Sequence, residues 1–160
     1  GWVASICALF LLILYISKPL GLLPSIHQVK RQTYGSLLFP VAVFLSFWAF
    51  QAKGHDLVFF YLPVLTLAVC DLVAALLGQK YPLRKIQLYA ASKSWGGLLA
   101  FLISSLTLNL LMYQAGFRLS VASIVCIPVL TAIVECITPK GFDNLTIPAT
   151  VIALLQLLNS

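Results

Sequence analysis

Apolar residues run along this chain in six blocks, at 2–16, 36–50, 57–77, 97–113, 119–134 and 145–158, separated by short segments that hold most of the charge. A helix that crosses a bilayer needs roughly 20 mainly apolar residues. Several blocks approach that length, and none shows the strict apolar/polar alternation of a half-buried strand. The pattern predicts an all-α, polytopic membrane helix bundle of about six transmembrane helices, forming one integral membrane domain over 1–160. Block 2–16 does not read as a cleaved signal peptide, because it lacks a basic leader and a small-residue cleavage site before polar sequence. The chain opens on Gly1 rather than Met, so native residues, including another helix, are expected to precede it.

Composition agrees with a bilayer as solvent. Hydrophobic residues make up 61% and charged residues 9%, against roughly half and a quarter in soluble domains. Charge then gives an orientation. Connections after the first, third and fifth blocks carry Lys18, Lys30, Arg31, Lys80, Arg84, Lys85, Lys93 and Lys140, eight of the ten basic residues. Those after the second and fourth carry only Lys53 and Arg118. The positive-inside tendency places the basic loops in the cytoplasm. The net charge of +6 is therefore loop charge, and no basic helix or aromatic stacking module points to nucleic acid. Cys7, Cys70, Cys126 and Cys136 show no metal-ligand spacing, and three of them read as packing residues in apolar stretches.

Only four acids occur: Asp56, Asp71, Glu135 and Asp143. Asp56 sits in a short loop. Asp71 lies inside the third apolar block, where a carboxylate costs about 3 kcal/mol by insertion scales and should face a cavity, a cation or a metal. Asp71, Ala75 and Gly78 are spaced i, i+4 and i+7, on one helical face. That face suits a ligand, or equally a neighbouring helix with Asp71 hydrogen-bonded across it. The basic loop ends in Lys93-Ser94-Trp95-Gly96-Gly97, where a Lys, a hydroxyl and the start of a helix make an anion site or an ordinary Ser94 cap. It is not a P-loop. Glu135 to Pro148 gathers Glu135, Asp143 and Asn144 around a Pro/Gly turn, oxygen donors that suit Mg²⁺ or a turn capped by Asp143. Lys30 and Arg31 in the first basic loop suit phosphate or lipid headgroups. His27 and His55 read as surface residues. Three loops predicted on one face, together with Asp71 in the helix that leads into one of them, thus gather three of the four acids and most of the basic groups, the mixture that phosphates and Mg²⁺ require.

Taken together these segments resemble the dolichol kinase, phytol kinase and CTP-dependent diacylglycerol kinase family. Lys30-Arg31 with Thr33-Tyr34-Gly35 is similar to its basic pair before a helix. Asp71-Leu72-Val73-Ala74 with Gly78 is similar to its D-x-x-A-x-x-x-G element, and Lys93-Ser94 with Gly97 to its K-[ST]-x-x-G element. Glu135 through Pro148 resembles its E…P-x-G-x-DN-x-x-[IV]-P ending. Cys70 departs from the family's usual Gly, and Gly96 stands where a Glu often precedes the glycine.

The resemblance implies a CTP-dependent kinase that transfers the γ-phosphate to the hydroxyl of a membrane lipid alcohol: phytol, farnesol, polyprenol, dolichol or diacylglycerol. It implies catalytic roles for Asp71 and Lys93. Nucleotide binding falls to Lys30, Arg31, Gly78, Lys93, Ser94 and Asn144, and Mg²⁺ binding to Asp71, Glu135 and Asp143. Two alternatives stand beside it. A phosphatidate cytidylyltransferase shares a D-x-x-A and K-[ST]-W-E-G pattern, but its G-H-G-G…D-R-x-D ending is not seen here. A non-catalytic lipid-binding or transport protein would bind lipid without consuming CTP.

Overall fold

A computed structural model describes residues 2–17, 35–81, 83–88, 91–139 and 141–159 of the chain. Among these the chain forms six helices: α1 (Trp2–Ser17), α2 (Gly35–Ala52), α3 (Val58–Lys80), α4 (Trp95–Gln114), α5 (Val121–Ile137) and α6 (Asp143–Leu158). Each covers nearly all of one of the six predicted blocks: α3 and α5 begin one and two residues later than their blocks, and the remaining ends lie within three residues of the block ends. α2, α3 and α4 are long and apolar enough to cross a membrane, with α3 the most apolar. α1, α5 and α6 are shorter apolar helices. Large apolar side chains stand on the outside of the bundle, among them Ile103 at 63% exposed, Val121 at 76% and Leu157 at 72%. In water such a surface would aggregate, whereas lipid solvates it. The molecule is an all-α membrane bundle.

Two features were not foreseen. The basic loop before α4 contains an antiparallel hairpin, β1 (Lys85–Leu88) and β2 (Ala91–Ser94), in which Lys85 pairs with Ser94 and Ile86 with Lys93. Four-residue strands leave too little pattern to read. The second is a π-helical turn over Thr66–Asp71 in the middle of α3. Its wider ring holds one more residue than an α turn, which rotates everything beyond it by roughly 100°. Asp71 ends this turn, so the turn sets which way the following face, Ala74, Ala75 and Gly78, is presented.

Packing inside lipid draws little on the hydrophobic effect and depends on close contact. Accordingly the second half of α3 lies against the start of α4 through glycines. A Cβ on Gly78 would meet the Cα of Gly97 at 3.1 Å, and one on Gly97 would meet the Ala74 carbonyl oxygen at 3.2 Å. Beneath this seam Ala42, Leu67, Cys70, Ala74, Phe101, Ala132 and Ile147 form one buried cluster. A second, around Leu62, Met112, Ile127, Val151 and Leu155, fills the other half of the bundle. Two buried hydroxyls bond within their own helices, Ser46 to the Ala42 carbonyl at 2.9 Å and Thr131 to that of Ile127 at 2.6 Å, whereas those of Thr66 and Ser105 have no partner among the described residues. Those bonds spare Ser46 and Thr131 the cost of a lone polar group in an apolar interior.

The connections sort to two ends. The hairpin, the α5–α6 turn and the start of α2 contribute to one cavity. Residues 53–57 and 115–118, which carry Lys53 and Arg118, line a second cavity of about 550 Å³. Asp56 is explained there, since its Oδ1 accepts the Val58 N–H at 3.1 Å. Cysteines placed at Lys85 and at Lys53 in a cysteine-free background are expected to react with an impermeant thiol reagent from opposite sides of sealed vesicles. Labelling of both from one side would overturn the arrangement.

Candidate active site

The α5–α6 turn is the most tightly specified part of the site. Asp143 is the first residue of α6, and its Oδ1 accepts the Gly141 N–H at 2.9 Å and the Asn144 N–H at 3.1 Å. One carboxylate oxygen thus fixes the turn and leaves Oδ2 facing the interior. Asn144 reaches the other way, its Nδ2 donating to the Gly35 carbonyl at 2.8 Å and tying α6 to the start of α2. In the last turn of α5, Glu135 projects from a buried position.

The hairpin delivers the cation. β2 carries Lys93 into the gap between α5 and α6, where its ammonium donates to the Glu135 carboxylate and lies 3.5 Å from Asp143 Oδ2. The three side chains are 13%, 6% and 12% exposed, so the group is nearly dry. Burial pulls the Lys93 pKa down, but Glu135 first, then Asp143 and Asp71, outweigh it and hold the ammonium above its ordinary value. Ser94 serves the backbone as expected of a cap: its Oγ accepts the Gly97 N–H at 3.1 Å and donates to the Gly78 carbonyl at 3.3 Å.

α3 completes the enclosure. Asp71 lines the same cavity as Gly78, Lys93, Ser94, Glu135, Asp143 and Asn144, a space of about 390 Å³. The fold therefore brings together seven of the nine residues singled out from sequence. Lys30 and Arg31 lie outside the described residues. Among the described residues Asp71 makes no hydrogen bond or ion pair, whereas Glu135 and Asp143 share Lys93. Gln79 and Lys85 also line the cavity and were not assigned to it. Lys85 was visible as loop charge, but only the hairpin register, which sets it opposite Ser94, reveals its place.

The donor set suits a hard cation in kind, three carboxylates on one cavity, but not in arrangement. Among the described residues no three His, Cys, Asp or Glu side chains are grouped to hold a metal ion. The Lys93 ammonium occupies the position between Glu135 and Asp143 that a metal would need. As the site stands, Asp71 alone is uncommitted, and Mg²⁺ is commonly held by one or two carboxylates with substrate phosphates.

No family model and no solved structure matches the chain. Among curated proteins it is similar to a phytol kinase from Synechocystis sp., 32% identical over 152 residues that cover 92% of this chain. The chain spans about 65% of that relative's length. The aligned stretch is nearly the whole bundle and so embraces the cavity and the helices that build it. This similarity supports assignment of the chain to the polyprenol and phytol kinase family.

Proposed function

We propose that the chain is a CTP-dependent kinase of membrane lipid alcohols, with its site on the cytoplasmic face of a multi-pass protein. The observation that carries this reading is the single cavity at one end of an apolar bundle, which combines Asp71 with Lys93, Glu135, Asp143 and Asn144. The similarity to a phytol kinase supports phosphoryl transfer to a lipid alcohol. The excess of basic residues in the loops at the site's end supports the cytoplasmic orientation.

The reaction needs positioning and charge stabilisation more than covalent help from the protein. The hydroxyl oxygen of the lipid bonds to the γ-phosphorus, the bond to the bridging oxygen breaks, CDP leaves and the hydroxyl proton is released. Asp71, at the end of the π turn and facing the cavity, orients the hydroxyl or holds a magnesium ion together with the phosphates. A bound magnesium ion would supply neutralisation of phosphate charge. Lys93 and Lys85 face the polyphosphate, and the family resemblance assigns Lys30 and Arg31, outside the described residues, to nucleotide binding as well. Gly78 and Ser94 line the cavity where α3 packs closely against the start of α4, and so form the wall beside which the nucleotide lies. Asn144 offers its Oδ1 to the nucleotide, since its Nδ2 is committed to Gly35.

Purified protein given γ-labelled CTP and a panel of phytol, farnesol, polyprenol, dolichol and diacylglycerol is expected to yield labelled lipid phosphate and CDP. Pyrophosphate release with phosphatidate, and no labelled lipid phosphate, would establish a cytidylyltransferase instead. Lipid binding with no CTP turnover would establish a non-catalytic protein.

A further inference from the structure

Glu135, Asp143 and Lys93 come from three different elements, α5, α6 and β2, and meet only because the hairpin inserts between the helix ends. Two carboxylates this dry need a cation, since removing one partner of a buried ion pair leaves an uncompensated charge that costs several kcal/mol. Here the cation is the chain's own ammonium. It is the end of a flexible four-carbon stem with three freely rotating donors, unlike the planar fork of an arginine. Asp71 lines the same cavity and has no such partner among the described residues.

We propose that Lys93 is an internal counter-ion that fills the cation position between Glu135 and Asp143 until nucleotide phosphates draw it away, so that a divalent cation and a nucleotide bind as a coupled pair. The inference rests on the reading of this cavity as a nucleotide site. With Lys93 between the acids, an arriving divalent cation meets an ammonium rather than two free carboxylates. A polyphosphate at the cavity offers that ammonium a stronger partner, and its movement exposes Glu135 and Asp143 to the metal beside Asp71. Cation and nucleotide then raise each other's affinity by the same factor, as linkage demands. The cavity is never left with three unneutralised carboxylates, which would repel one another in a nearly dry site.

Mn²⁺ alone is the direct probe, with free Mn²⁺ counted by its magnetic resonance signal against detergent-solubilised protein. Wild type without nucleotide is expected to bind Mn²⁺ weakly. Lys93→Met, which keeps the stem and removes the charge, is expected to bind it roughly tenfold tighter or better, because a cation several ångströms away no longer opposes it. If Lys93→Met does not fold, as judged by gel filtration, Lys93→Gln takes its place, since its amide still donates to a carboxylate. CTP added to wild type, corrected for Mn²⁺ held by CTP in solution, is expected to bring a gain of similar size, and in Lys93→Met to bring little more. Mn²⁺ binding by the folded variant no tighter than by wild type would overturn the counter-ion role, whatever CTP does. A gain in the variant with none from CTP in wild type would overturn the coupling. If CTP also fails to bind at all by equilibrium dialysis, the failure lies in the nucleotide reading.

Discussion

Asp71→Asn is expected to lower CTP-dependent lipid phosphorylation by about 10²-fold or more while leaving the protein folded, a loss of roughly 3 kcal/mol of transition-state stabilisation. Asn keeps the size of the side chain and one carbonyl oxygen but removes the charge. Nothing in the bundle depends on that charge for packing, since Asp71 makes no hydrogen bond or ion pair among the described residues and lines the cavity rather than the core. Its neighbours in the helix, Cys70 and Ala74, are the residues that pack. An amide is also cheaper than a carboxylate at this depth, so unfolding should become no easier. The measurement is initial rate with saturating CTP and acceptor, beside a thermal unfolding curve in detergent. A stable Asp71→Asn protein with near-full activity would remove Asp71 from the chemistry and leave it a polar lining residue.

Much of this architecture could be read from the chain because lipid makes a simple demand. Backbone groups must be satisfied within each segment, so an apolar run becomes a helix, and charge collects where water begins. Hence the six blocks and the sorting of Lys53 and Arg118 away from Lys93 and Asp143 match the observed ends of the bundle. A single acid in apolar surroundings carries the most information, which is why Asp71 stood out, whereas Glu135 was visible only together with Asp143 and Asn144 around a Pro/Gly turn. What sequence did not reveal depends on backbone geometry and on partners distant in the chain. No residue type marks the π turn at Thr66–Asp71, and four-residue strands lie below any usable pattern. The pairing of Lys93 with Glu135 spans 42 positions and follows from where the hairpin is placed. Sequence offered Glu135 and Asp143 as metal ligands, and the fold shows both occupied by an ammonium. Ser94 and Asn144 likewise spend part of their hydrogen bonding on the scaffold, one capping α4 and the other holding α2 to α6.

Gly96 gives the largest expected structural effect, and it separates a resemblance from what this backbone admits. The family pattern that this chain resembles often has Glu at this place, so an argument from that pattern would restore it. In this fold a Cβ at Gly96 would stand 2.4 Å from the carbonyl oxygen of Tyr81. That oxygen is not free to retreat, because it accepts the Leu83 N–H at 2.7 Å in the turn that leads into the hairpin. The Trp95 N–H, next in the chain, bonds to the Arg84 carbonyl at 3.3 Å and holds the same turn from the other side. Even one methyl group must therefore push apart the end of α3 and the start of α4. Gly96→Ala is expected to cost about 2–3 kcal/mol, the upper part of the range for overpacking a close contact. Gly96→Glu should cost more, because it adds a carboxylate to the same clash. The strain would fall on the hairpin that delivers Lys93, so activity should drop with stability rather than independently of it. Gly54→Ala is the control. Gly54 has a left-handed backbone, φ 67°, but nothing within 4 Å of an added Cβ. Its cost should stay at the roughly 1–2 kcal/mol of that conformation alone. Unfolding midpoints in detergent for the three variants are expected to fall in the order Gly54→Ala, Gly96→Ala, Gly96→Glu, from highest to lowest. A Gly96→Glu protein as stable as wild type would show that the Tyr81 turn yields, and would reopen this position to a second carboxylate in the site.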